Sequence, residues 1–227
     1  MTIRWYLHGV ILAMALAGCT PAGQILYAVL PDGTIPILLS NLERESDTNR
    51  QRVAALERNG DWPGLARLAE ENIAKEPANS SWWLVAGYAY SRQKNHARAI
   101  TCFREMVRLE PDVAEGWNLL AQEYRSAGDS QRAVAVLTQA LTALRDSAIT
   151  LLLLGESYSD LGQFDLAVRP YQQALALDAG LTPAWAGLAR AQIKRGQLAE
   201  AESIARAHDN KHPELAAAIR AQIKNAP

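Results

Sequence analysis

Stepping through the chain in intervals of 34 residues from Ser80 brings like residues into line without a single insertion. Trp83, Trp117, Leu151 and Trp185 share one column, and Gly87, Ala121, Gly155 and Ala189 share the column four further on. Tyr90, Tyr124 and Tyr158 form a third, which ends with Gln192, and Ala99, Ala133, Ala167 and Ala201 form a fourth. One step back gives a weaker unit. It keeps Leu56, Gly60 and Pro77 but carries Asn49, Arg52 and Leu65 where the others have Trp or Leu, Ala or Leu, and Ala. Pro77, Pro111 and Pro213 share a further column, interrupted by Arg145 and Ala179. A period of this length makes each unit one supersecondary element that stacks on its neighbours. The register sets five units, 46–79, 80–113, 114–147, 148–181 and 182–215, and a last helix over 213–225.

The unit 114–147 shows what each repeat is. Trp117, Leu120, Ala121 and Tyr124 lie at i, i+3, i+4 and i+7, one stripe of an α-helix. Ser126-Ala127-Gly128-Asp129 interrupts that helix, with Gly128 suited to a left-handed C-terminus. A second helix carries Ala133, Leu137, Ala140 and Leu141 on one face, and the alanine column lets the pair approach closely. A composition of 49% hydrophobic residues with only 2 Phe, dominated by Ala and Leu, suits such small-residue helix packing. One hairpin cannot bury its apolar face alone, so neighbours must stack. In the fourth unit Pro170 falls inside the second helix, removes a backbone donor and predicts a local kink, while Tyr171, Ala174 and Leu175 continue the stripe. The weak first unit reads as a polar cap or a frayed end, with a first helix starting as early as Pro36 or Asn41.

These columns resemble the tetratricopeptide repeat family over 170 of the 227 residues. The resemblance implies an all-α, right-handed superhelical solenoid of helix hairpins that holds other proteins. It also implies that a second stripe of each first helix lines a concave groove. That stripe presents Tyr88 and Arg92, then Asn118, Gln122 and Arg125, then Glu156, then Arg190 as candidate partner contacts. A mixture of Tyr, Arg and Asn is richer than solubility requires, although a solvated face is the plain alternative. The Lys–Asn pair with which some family members clamp a C-terminal carboxylate has no counterpart here: the pairs are Arg50 and Ala54, Leu84 and Tyr88, and Asn118 and Gln122.

The N-terminus has a different character. Arg4 precedes an apolar run from Trp5 to Leu16, too short to span a bilayer as a mature helix. Leu16-Ala17-Gly18-Cys19 then resembles the bacterial lipobox. That resemblance implies a signal peptide over 1–18, cleavage before Cys19, lipid on Cys19 and stable membrane anchoring by two or more acyl chains. Thr20, where inner-membrane retention would use Asp, leans towards an outer-membrane lipoprotein facing the periplasm. The segment 19–45 is no ordinary polar tether. Ile25–Leu30 and Ile35–Leu39 flank the turn signal Pro31-Asp32-Gly33. It reads as an apolar strap on the first unit or as a second contact with membrane or partner.

The remaining residues exclude more than they suggest. With 23 Lys+Arg against 24 Asp+Glu, bulk charge gives no basic face for nucleic acid. No phosphate loop, nucleophile elbow or paired cysteines occur, so neither an enzyme nor a cofactor is expected. Once Cys19 is lipidated, Cys102 is the only free thiol and reads as a small buried hydrophobe. His96 reads as a turn residue, and His208 and His212, spaced i, i+4, read as solvated surface rather than a metal site. Trp83, Trp117 and Trp185 read as core, Trp62 as a turn residue, and Trp82 as facing either the preceding unit or solvent. The function expected is an envelope-anchored scaffold that assembles a multiprotein complex of pilus, secretion or outer-membrane machinery. The rival is an adaptor or binding subunit for an envelope hydrolase or a cell-wall or glycan polymer.

Overall fold

The computed structural model describes residues 46–144 and 147–226. The signal peptide, Cys19 and the segment 19–45 lie outside the described residues, whose regular structure is entirely helical. Eleven helices follow in order: α1 (Asp47–Arg58), α2 (Trp62–Lys75), α3 (Ser80–Arg92), α4 (His96–Leu109), α5 (Ala114–Ser126), α6 (Ser130–Ala143), α7 (Ala148–Asp160), α8 (Phe164–Leu177), α9 (Thr182–Lys194), α10 (Leu198–His208) and α11 (Pro213–Lys224). They follow one another as five helix pairs, α1–α2, α3–α4, α5–α6, α7–α8 and α9–α10, with α11 as an additional last helix. The chain divides into two compact units at Leu144, three hairpins before it and two hairpins plus α11 after it.

The turn inside each hairpin is built by one repeated device. The fifteenth position of every unit has positive φ: Gly60, Lys94, Gly128, Gly162 and Gly196, at 65°, 58°, 81°, 70° and 75°. The next residue caps the second helix. Asp61, Asn95 and Asp129 accept bonds from the backbone N–H of Gly64, Arg98 and Arg132, satisfying one donor that the first turn leaves open. Between hairpins, the indole N–H of Trp83, Trp117 and Trp185 donates to the carbonyl six residues back, on Pro77, Pro111 and Ala179, each at 2.9 Å. The bond needs a carbonyl and not a proline ring, so Ala179 can stand in the proline column.

Packing within the second, third and fourth hairpins follows a size rule. The alanine column is fully buried, and so is Leu65 in the same column of the first unit. A Cβ on Gly87 would lie 2.5 Å from the Phe103 ring, and one on Gly155 would lie 2.8 Å from the Tyr171 ring. Where the partner is the smaller Leu137, the column carries Ala121. Tyr171 is also met from the other side, because a Cβ on Gly187 would lie 2.5 Å from it. Pro170 is buried within a helix that runs from Phe164 to Leu177, and Tyr171, Ala174 and Leu175 keep the buried stripe.

Several expectations need correction. α1 begins at Asp47, because Ser46 is extended (φ −61°, ψ 147°) and its hydroxyl accepts from Asn49 N–H; the helix does not start near Pro36 or Asn41. Trp62 and His96 are the first helical residues of α2 and α4, not turn residues. Trp82 is buried, settling the choice against solvent, whereas Trp83 and Trp185 are only half-buried. His208 is not solvated: it is buried against the Trp185 ring at 4.8 Å, and its Nδ1 lies 2.9 Å from the Ile204 carbonyl.

Candidate partner-binding surface

In the N-terminal unit the first-helix faces carry an arginine–aromatic cluster. The Tyr88 ring meets the Trp62 ring edge-on, centroids 5.8 Å apart. The Arg92 guanidinium lies 4.4 Å from the Trp62 centroid and 5.9 Å from that of Tyr88, and Arg92 Nη1 donates to the Tyr88 hydroxyl at 3.5 Å. Tyr88 Oη in turn donates to Glu57 Oε1 at 3.4 Å, and Gln93 Nε2 donates to the Trp62 carbonyl at 3.2 Å. Two side chains, Trp62 on α2 and Tyr88 on α3, therefore hold the guanidinium, and Glu57 on α1 anchors the Tyr88 hydroxyl. Burial pulls the pKa of Arg92 down from its ordinary value, and the aromatic faces offset part of that cost. Sequence reasoning found Tyr88 and Arg92 but missed Trp62. Its column was the available signal: the seventeenth position, Trp62 in one unit and His96 in the next, addresses the following first helix in both.

The other candidates sit on later first helices. Asn118, Gln122 and Arg125 lie on α5, with Gln122 and Arg125 buried and Asn118 half-buried. Between α3, α4 and α5 the buried Glu123 carboxylate accepts from Ser91 Oγ at 2.7 Å and lies 2.6 Å from His96 Nδ1. Hydroxyl and imidazole both address the carboxylate rather than each other. That arrangement ties hairpins together; it is not a nucleophile with its base. In the C-terminal unit Glu156 is buried on α7 and Arg190 is half-buried on α9. The solvated-face alternative does not describe Tyr88, Gln122, Arg125 and Glu156, which are all below one-tenth exposed, whereas Arg92, Asn118 and Arg190 are half-buried. For the same reason Tyr88 is structural as well as a candidate contact, its ring already being packed on Trp62.

Elsewhere, Cys102 is buried and its thiol is pushed up to about 12 by burial. No group of three or more His, Cys, Asp or Glu side chains suited to a metal ion occurs among the described residues. No described helix is long and apolar enough to cross a membrane. Asp209 is held by Arg220 through two bonds of 2.6 and 2.9 Å, which lower its pKa below the usual carboxylate value.

Three family profiles, each described as tetratricopeptide repeat, match residues 80–123, 118–181 and 160–223. The chain belongs to the tetratricopeptide repeat family. Among solved structures it is similar to MamA (21% identity, TM-score 0.64, 75% of this chain and 93% of that one). It is also similar to PilW, described as a widely conserved type IV pilus biogenesis factor (24% identity, TM-score 0.63, 79% and 86%). A third is YrrB, described as a tetratricopeptide protein with an unusual peptide-binding site (12% identity, TM-score 0.61, 84% and 98%). At these identities the likeness shows the fold. In sequence, 60 residues are 33% identical to protein bimA of Emericella nidulans, a match over 26% of this chain and 7% of that protein.

Proposed function

We propose that this chain is a scaffold, not an enzyme, anchored in a bacterial envelope through lipid on Cys19. It binds a protein or peptide partner on the first-helix faces of its repeats and helps to assemble a multiprotein complex. The observation that carries this reading is the Trp62–Tyr88–Arg92–Glu57 cluster. Tyr, Trp and Arg concentrate binding energy at interfaces, and a guanidinium held by aromatic rings loses little further side-chain entropy when a partner docks. Asn118 and Arg125 on α5 extend the surface within the same unit. Glu156 and Arg190 are candidate contacts of the C-terminal unit. The Leu16–Cys19 motif and the likeness to a pilus biogenesis factor support an envelope role at the outer membrane, facing the periplasm.

The experiment is affinity capture from solubilised envelopes with wild-type chain and with Arg92→Ala/Asn118→Ala, which replaces two half-buried residues and spares the packed Tyr88 ring. Loss of captured partners with an unchanged melting curve is the expected result. Capture of the same partners by the variant would rule out this face. The anchor is tested separately: Cys19→Ser should take up no labelled palmitate, and unchanged labelling would remove the lipoprotein reading.

A further inference from the structure

In the N-terminal unit each inner hairpin receives the second helix of the hairpin before it: α2 packs on α3, and α4 packs on α5. The Glu70 carboxylate of α2 accepts from the Tyr90 hydroxyl on α3 and from Arg98 Nη1 on α4, the latter at 3.4 Å. One helix therefore lies across both members of the next hairpin. The first hairpin has the same side, and it is open. Between α1 and α2 lies a groove of about 390 Å³, and Leu56 and Gly64 line it. In the 34-residue register these two hold the positions of Tyr90 and Arg98, the residues that receive α2. Ala55 and Leu68 complete the apolar lining; Leu68 is buried, Leu56 half-buried and Ala55 exposed. The groove has the build of a helix seat.

Its rim differs in charge from the inner seats. Arg52 stands where the next two hairpins have the buried Ala86 and Leu120, and Arg67 where they have Thr101 and Ala135. Both arginines line the groove and are exposed, and among the described residues neither is bonded to a carboxylate. Of the two acids that line it, Asp61 is committed to the Gly64 N–H at 2.8 Å, which leaves Glu71. A wholly apolar helix seated here would strip water from two guanidinium groups and return no hydrogen bonds. A basic helix would set like charge against like. A helix with an apolar stripe and flanking carboxylates would cover Leu56 and meet both arginines. We propose that the open side of the first hairpin is a docking seat for an acidic amphipathic helix of another protein. None of its residues belongs to the Trp62–Tyr88–Arg92–Glu57 cluster, so it is a second interaction surface.

The test uses the full chain in detergent and three stapled helical peptides that share a leucine stripe and carry Glu, Gln or Lys on its flanks. Binding is read by fluorescence anisotropy. The Glu peptide should bind roughly tenfold more tightly than the Gln peptide, with the Lys peptide weakest. Arg52→Gln/Arg67→Gln should remove the difference between the Glu and Gln peptides, and Arg52→Glu/Arg67→Glu should reverse the order, both with unchanged melting because the two side chains are exposed. Binding without charge preference, or an order that neither variant moves, would overturn the proposal. Arg92→Ala/Asn118→Ala should leave Glu-peptide binding unchanged, so this seat and the first-helix face fail separately; loss of binding there would place the peptide on that face instead. A second arm puts a photoreactive side chain in place of Ala55 in the native envelope and sequences the crosslinked peptide. An adduct within an acidic helical segment of another protein is expected. No adduct, or an adduct to residues 1–45 of the same chain, to a second copy or to a segment without excess Asp and Glu, would overturn it.

Discussion

At the residue scale, Lys94 shows how a repeat tolerates an exception. Four of the five hairpin turns use Gly at positive φ, and the second uses lysine at 58°. A side chain in the left-handed region costs roughly 1–2 kcal/mol, while glycine loses about 0.5–1 kcal/mol more backbone freedom on folding. Lys94→Gly should therefore stabilise the protein by roughly 0.5–1 kcal/mol, seen as a higher urea midpoint with unchanged slope. The Cys102 thiol supplies a second residue-scale expectation. Its folded pKa of about 12 lies above the unfolded value, so the stability linked to it is complete at neutral pH and is lost as pH rises towards that value. At neutral pH a thiol reagent should modify Cys102 at a rate that tracks unfolding; immediate full labelling of native protein would contradict its burial.

At the scale of helices, the inverse sizes across the second, third and fourth hairpins make a quantitative expectation. Gly87→Ala drives a methyl into the Phe103 ring, and overpacking of this kind costs on the order of 1–3 kcal/mol. Adding Phe103→Leu recreates the Ala–Leu pairing that the third hairpin already has in Ala121 and Leu137, and should recover most of the loss in a double-mutant cycle. Gly187→Ala meets Tyr171, which is also confined by Gly155, and has no such simple rescue. The periodic columns made the hairpins and their register legible in the sequence. The glycines read there as helix-column members, but their reason, an aromatic ring pressed against the missing Cβ, appears only when two helices are placed face to face.

At the scale of the whole molecule, each compact unit depends on how its ends are closed. Ending the chain after His212 removes α11 and leaves Ala186, Ile193 and Ala205 without Leu215, Ala216 and Ile219. Because repeat stability is a sum of local and nearest-neighbour contributions, amide protection should collapse first in α9 and α10 and persist in α3–α5. Uniform loss of protection would show that the two units fold as one. Circular dichroism of the chain from residue 20 should be strongly helical throughout.

The sequence by itself determined the repeat, the left-handed turn at Gly128 and the family, because each of these is written in local spacing. It also marked Tyr88, Arg92, Asn118, Gln122, Arg125, Glu156 and Arg190 as one stripe. It did not determine how open that stripe is, nor that Trp62 joins it, since burial and ring contacts are set by residues roughly thirty positions away. The misplacement of Trp62 and His96 in turns has the same origin: a first helical residue and a turn residue differ by one step along the chain, but only the helical one points at the next hairpin. The tertiary structure alone decided that His208 is buried against Trp185 and that Thr48, Gln51, Arg52 and Ala55 of α1 are exposed. A helix face is apolar or polar in the sequence, but whether anything stacks against it depends on which helix, if any, comes before.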